Sequence, residues 1–74
     1  MKLPVVSGRE LVKALSRLGY EVDHTTGSHI ILRLSKLPHT RLTVPDNKEV
    51  SKGMLMAIMR QAGLARETLE ELLR

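Results

Sequence analysis

The feature that most constrains the fold of this chain is its hydrophobic period, which changes from about 3.6 residues to two and back again. Residues 8–18 carry an apolar stripe at helical spacing. From Tyr20 to Val44, apolar and polar residues alternate in three runs, which glycine and proline turns separate. Residues 51–62 return to helical spacing. The pattern predicts a helix, three strands and a helix, which is an α+β fold.

Capping and stop residues mark the predicted helix ends. Residues 7–10 read Ser-Gly-Arg-Glu, a capping box that begins the first helix, and Gly19 follows its last turn. Ser51 is placed to cap the second helix, and Gly63 ends it. A short terminal helix is predicted over residues 67–74.

The three alternating runs predict an antiparallel meander with the helices packed on one face. Because side chains alternate across a strand, the pattern divides the sheet residues into two sets. The helices are expected to cover Val22, Ile30, Leu32, Leu42 and Val44. The other face is expected to stay open and to carry Glu21, Asp23, His29, Ile31, Arg33, Arg41 and Thr43.

The same alternation predicts how the first two strands pair. Directly opposed residues must lie on one face, and a three-residue loop over 26–28 satisfies this by pairing Thr25 with His29. Gly27 then takes the left-handed position in the loop. On this register His24 lies at the edge of the core, on the face opposite His29.

Length and composition narrow the class of protein. A chain of 74 residues has a core for one domain, here residues 1–74, and no room for a second. It has no cysteine, no secretory signal and no long apolar run. These features predict a cytoplasmic protein without a membrane segment.

Charge favours a polyanionic partner. The net charge is +4, and residues 1–60 carry ten Lys and Arg against five Asp and Glu. A basic body of this kind suits RNA, although many small proteins are mildly basic without binding nucleic acid. With one tyrosine and no phenylalanine or tryptophan, the open face lacks an aromatic platform. The composition therefore favours contact with the RNA backbone over base stacking.

His29 is the residue best suited to proton transfer near neutral pH. If Arg33 pairs with Arg41, His29 lies opposite Pro45 and beside residues 46–47. RNA carries its own nucleophile, the 2′-OH, so one imidazole with Lys and Arg side chains is sufficient without a metal ion. On residue types alone, the simpler interpretation of an exposed strand histidine is favoured.

Other candidate residues have ordinary structural explanations as well. Lys48 and Lys52 lie near the start of the second helix, where they are placed to bind phosphate but equally fit a solvated helix entrance. Ser28 lacks a base on its face and suits a turn. The three histidines have no metal-ligand spacing, so we expect neither a metal ion nor another cofactor.

Short motifs follow one another in a specific order: SGREL at 7–11, LGY at 18–20, GSH at 27–29, VP at 44–45, Gly53, and RQAGL at 60–64. In this order they resemble the SGkEl…lGf, GSH and VPxH…kG…ilrqAGL pattern of the HicA family of bacterial type II toxins. The resemblance covers about residues 7–64, which is most of the chain.

The resemblance implies a fold, an activity and partners. HicA proteins are small mRNA interferases with a double-stranded-RNA-binding-domain-like (dsRBD-like) fold of a helix, a three-stranded antiparallel sheet and a helix. The family's catalytic histidine is that of the GSH motif, here His29, and Gly27 and Ser28 form its turn. The implied partners are mRNA and a HicB-type antitoxin. One position departs from the family pattern, because Asn47 stands where a histidine is usual.

The sequence therefore predicts a HicA-type toxin that acts as a metal-independent endoribonuclease, with His29 transferring the proton and Asn47 shaping the adjacent loop. The residues expected to hold the RNA backbone are Arg33, Arg41, Lys48 and Lys52. Two alternatives stay open. One is a non-catalytic RNA- or protein-binding module of the same fold, and the other is a degenerate toxin that binds its antitoxin but does not cleave.

Overall fold

The computed structural model describes residues 3–74, so the first two residues of the predicted domain lie outside the described part. Its elements in chain order are α1 (Gly8–Ser16), β1 (Tyr20–Thr26), β2 (His29–Leu34), β3 (Arg41–Pro45), α2 (Lys52–Ala62) and α3 (Arg66–Leu72). The strands form an antiparallel sheet in the order β1-β2-β3. This arrangement confirms the predicted α+β, dsRBD-like fold.

Side-chain caps begin α1 and α2 as their sequences predict. The Ser7 hydroxyl accepts from the Glu10 N–H at 3.0 Å, and the Glu10 carboxylate accepts from the Ser7 N–H at 2.9 Å. The Ser51 hydroxyl accepts from the Met54 N–H at 3.3 Å. Gly63 ends α2 in a left-handed conformation with a φ of 70°. These contacts satisfy backbone groups that helix ends leave unpaired.

Three predicted helix boundaries shift. Helix α1 ends at Ser16 instead of residue 18, because residues 17–19 form a turn in which Gly19 has a φ of 101°. Leu18, predicted to belong to the apolar stripe, lies in this turn and is 38% exposed. Helix α3 begins and ends earlier than predicted, and Ala65 provides no side-chain cap at its start.

An apolar core lies between the helices and one face of the sheet. All three helices contribute to it, and residues 3–74 contain no buried charged or polar residue. Burying a side chain as large as leucine contributes about 1.5–3 kcal/mol relative to leaving it exposed. The largest fully buried side chains of the core are Leu11, Leu15, Leu32, Leu42, Val44, Leu55, Ile58 and Leu69.

Strand β1 extends beyond this core. Only Tyr20 among its seven residues is buried, and Val22 is 54% exposed. The prediction that the helices cover Val22 is therefore wrong, and Ile30 on the neighbouring strand is only partly buried. The buried strand residues other than Tyr20 lie on β2 and β3, so the core is centred on those two strands and most of β1 lies outside it.

The first hairpin has a shorter loop than predicted. Its loop contains only Gly27 and Ser28, so that Thr26, and not Thr25, pairs with His29. The predicted three-residue loop is therefore wrong, although Gly27 has the left-handed backbone that was expected, with a φ of 56°. The two-residue loop shifts the register by one residue at the tip of the hairpin.

A β-bulge in β1 absorbs this shift. Val22 and His24 pair with successive residues of β2, and Asp23 between them is an extra residue without a pairing partner on β2. A bulge interrupts the strict alternation of side chains, and paired residues share a face, so His24 lies on the open face with its partner on β2. The prediction that His24 lies at the core edge, opposite His29, is therefore wrong.

Gly8 lies where α1 meets the end of β3. Its N–H donates to the Asn47 carbonyl oxygen at 2.9 Å. A Cβ at this position would overlap with the carbonyl oxygen of Pro45. The first turn of α1 can approach the strand this closely only because glycine has no side chain.

Replacing Gly8 with alanine is expected to lower the free energy of unfolding by about 2 kcal/mol, because the added methyl group forces α1 away from β3. Urea denaturation measures the change. Gly53→Ala is the matched control, since an added Cβ in α2 meets no neighbouring atom and is expected to stabilise the helix by about 0.5 kcal/mol. Equal stability of Gly8→Ala and the unmodified chain would contradict the prediction.

Candidate functional site

His29 begins β2 on the open face of the sheet. It pairs with Thr26 on one side and with Pro45 on the other, which confirms the predicted Pro45 neighbour. The residue is exposed. Within residues 3–74 its imidazole makes no hydrogen bond, whereas His24 and His39 each bond through Nδ1. Both ring nitrogens of His29 are therefore available to a substrate.

The loop after β3 lies beside His29. The Ser28 carbonyl oxygen accepts from the Asp46 N–H at 2.7 Å, which continues the pairing of β2 and β3 beyond Pro45. The next residue, Asn47, holds Gly8 at the start of α1 through its main-chain carbonyl. Ser28 and Asn47 thus have structural contacts that fix the loop next to His29.

Arg9 is a basic residue of this region that no sequence motif singled out. Its Nε donates to Asp46 Oδ1 at 3.3 Å, and its side chain is 83% exposed. The capping box had explained only residues 7 and 10, and no sequence signal linked Arg9 to a loop 37 residues away. The residues that line the shallow depression here are Ser7, Arg9, Asp46, Asn47 and Lys48.

The predicted RNA-contacting residues fall into separate regions. Arg33 and Arg41 pair with each other on the open face of β2 and β3. Lys48 joins Arg9 in the depression beside the loop. Lys52, the first residue of α2, instead lines grooves that also include Leu3.

A carboxylate on β1 connects two cationic partners on the open face. Asp23 Oδ2 accepts from Arg41 Nη1 at 2.8 Å and lies 2.8 Å from His24 Nδ1. The hydrogen bond with His24, followed by the one with Arg41, lowers the pKa of the Asp23 carboxyl below its ordinary value. We call Asp23, His24 and Arg41 the Asp23 cluster. Arg41 is therefore already held by a carboxylate, although its side chain remains 58% exposed.

The part of the chain that the structure describes also lacks two kinds of feature. Residues 3–74 contain no group of three or more histidine, cysteine, aspartate or glutamate side chains arranged to hold a metal ion. None of the helices in this range has the length and apolar character that crossing a bilayer requires.

The element order and the exposed histidine at the start of β2 define a small α+β protein of the dsRBD-like class. A family model described as the HicA toxin of bacterial toxin-antitoxin systems matches residues 8–64. The match covers well over half of the 74 residues, and the chain belongs to the HicA toxin family. A comparison with curated proteins finds no match.

The lowered pKa of Asp23 makes part of the stability dependent on pH. A carboxyl whose pKa is lower in the folded state stabilises the fold when it is ionised, and this contribution is lost as pH falls through the folded-state value. Replacing Asp23 with asparagine is expected to destabilise the protein at pH 7. The difference is expected to shrink as pH falls below about 4, near the ordinary value of 3.8. Denaturation at pH 7, 5, 3 and 2 measures it, and a constant difference would contradict the prediction.

Proposed function

We propose that this chain is the toxin of a HicA/HicB-type toxin–antitoxin system and cleaves mRNA, with His29 as the catalytic residue. Membership of the HicA toxin family supports the toxin class. The observation that carries the catalytic role is the exposed imidazole of His29, which has no protein partner and lies beside a loop with basic neighbours. In this role the protein acts in the cytoplasm and inhibits translation.

The proposed reaction needs little machinery because RNA supplies the nucleophile. His29 accepts the proton of a 2′-OH, whose oxygen forms a bond to the adjacent phosphorus. The bond from phosphorus to the 5′ oxygen breaks, and this oxygen takes up a proton. The products are a 2′,3′-cyclic phosphate and a 5′-hydroxyl end. A positioned general base of this kind contributes about 100-fold to 10,000-fold in rate, and no step requires a metal ion.

Cationic side chains hold the phosphate backbone and offset the charge that develops in the transition state. Lys48 and Arg9 flank the loop beside His29, so they are the cations that we place closest to the reacting phosphate. The remaining proposed contacts are to flanking phosphates, through Arg33, Arg41 and Lys52.

A HicB-type antitoxin is the proposed protein partner. An antitoxin that covers the open face would block His29 and the loop after β3 together, because both lie at the same end of the sheet. The face carries few large apolar side chains, so its recognition is expected to rely on charge as well as shape.

His29→Ala is expected to lower the cleavage rate of a labelled mRNA at least about 100-fold, because it removes the general base. EDTA is present in the assay, since the proposed reaction needs no metal. The control is His39→Asn in the loop between β2 and β3, where the φ of 58° is a conformation that asparagine tolerates. The RNA binding and thermal stability of His29→Ala are expected to stay close to those of the unmodified chain.

The outcomes separate the proposed function from its alternatives. Cleavage by His29→Ala at the unmodified rate would overturn the catalytic role of His29. RNA binding without cleavage by the unmodified chain would instead favour the non-catalytic module. A chain that binds a HicB-type antitoxin but neither cleaves nor arrests growth would be a degenerate toxin.

Lys48→Ala is expected to weaken RNA binding several-fold at low salt and to reduce the slope of log affinity against log salt concentration by about one, because one phosphate contact is lost. Both quantities are measured by fluorescence anisotropy. The lysine changes are made in the His29→Ala variant, so that the RNA is not cleaved during the measurement. Lys13→Ala makes the same charge change in a groove beside α3 and serves as the control. Equal effects of the two changes would show that binding depends on net charge alone.

A further inference from the structure

The bulge in β1 brings a second imidazole to the open face. Strict alternation would have placed His24 on the same face as Val22, which is the face on which the helices pack. With Asp23 inserted, His24 instead pairs with Ile31, which shares the open face with His29. Bulges are over-represented beside active sites, where they re-aim a side chain. The extra residue therefore places His24 on the same face of the sheet as His29.

The register places the two imidazoles as diagonal neighbours. His24 lies opposite Ile31 and His29 lies opposite Thr26, so they occupy adjacent strands two positions apart. Diagonal neighbours of this kind are about 7–8 Å apart, and their side chains can approach more closely. The His24 side chain is 54% exposed, and His29 is also exposed. One phosphodiester can therefore lie between the two rings.

Asp23 fixes which nitrogen of His24 faces the substrate. Its carboxylate lies 2.8 Å from His24 Nδ1, and an ionised carboxylate can only accept, so Nδ1 carries a proton. This leaves Nε2 as the nitrogen that exchanges a proton with a substrate. Arg41 Nη1 donates to the same carboxylate oxygen at 2.8 Å and holds it from β3. The lowered pKa of Asp23 agrees with an ionised carboxylate at this position.

We propose that His24, positioned by Asp23, is the second catalytic residue and donates the proton that the departing 5′ oxygen takes up. This inference rests on the proposed function and completes its proton balance. His29 takes the 2′-OH proton as the new phosphorus–oxygen bond forms. The bond to the 5′ oxygen breaks, and Nε2 of protonated His24 gives its proton to that oxygen. Exchange with water then restores both rings.

Several charged groups share this face and enter any pH dependence. The helices pack on the other face of the sheet, so these groups come from the three strands alone. The titratable and charged residues around His24 on the open face are Glu21, Asp23, His29, Arg33 and Arg41.

The test compares two RNA substrates that differ at one atom. In the second substrate, sulfur replaces the 5′ bridging oxygen at the scissile phosphate, and a thiolate leaves without being protonated. His24→Asn is expected to slow cleavage of the oxygen substrate about 10-fold to 100-fold and to have little effect on the sulfur substrate. His29→Ala is expected to slow both substrates, because both reactions need the 2′-OH deprotonated.

The pH profile and a matched set of variants extend the test. Single-turnover rates of the full chain, with EDTA present, are expected to rise and then fall between pH 5 and 9, since a base and an acid must be in opposite states. His24→Asn is expected to remove the fall on the alkaline side. Asp23→Asn is expected to lower the rate less than His24→Asn, because the ring remains but loses its fixed orientation. His39→Asn serves as the control and is expected to match the unmodified chain.

Each outcome bears on one of the two proposals. An unchanged rate for His24→Asn on the oxygen substrate would overturn the inference and leave the role of His29 intact. Equal slowing on both substrates would show that His24 has only a structural role, which also overturns it. No cleavage by the unmodified chain, or full activity of His29→Ala, would instead refute the proposed function, and the inference would fail with it. Thermal unfolding of each variant establishes that it is folded.

Discussion

Burial of apolar side chains on one face of a three-stranded sheet is the constraint on which the rest of this structure depends. Helices α1 and α2 supply leucine and isoleucine side chains that can be removed from water only against β2 and β3. The chain has no cysteine and therefore no disulfide bond, so this single core must supply most of the stability of the fold. The opposite face therefore stays uncovered, and the polar and basic residues of the sheet collect there.

The open face is organised by two contacts made near its ends. At one end, Gly8 lets α1 approach the end of β3 so closely that the loop after β3 is fixed beside His29. At the other, the Asp23 cluster connects β1 to β3 across the central strand. Neither contact buries much apolar surface. Their importance lies in holding side chains of different elements at defined positions around one histidine.

Much of the fold was predictable because it follows from local patterns. The change of hydrophobic period gave the order of elements, the capping residues gave the helix starts, and Gly27 gave the hairpin turn. The pairing of His29 with Pro45 followed once Arg33 was taken to pair with Arg41. The family was also predictable, since the order of several weak motifs is specific in combination.

What was not predictable came from contacts and irregularities that alternation cannot represent. A period of two assumes that no residue is inserted, so the bulge at Asp23 reversed the predicted face of His24 and changed the hairpin loop. The ion pair of Arg9 with Asp46 joins residues far apart in the chain, and nothing in either segment signals it. The exposure of Val22 depends on how far the helices extend over the sheet, which is a property of packing.

The inserted residue in β1 has a consequence for the behaviour of the protein at high concentration. An edge strand offers unpaired amide and carbonyl groups to any other strand, and a flat edge is a template for polymerisation. A bulge twists the edge, and the charged Asp23 at its centre disfavours the approach of a second strand. The same insertion that turns His24 outward therefore also protects an otherwise uncovered strand from self-association.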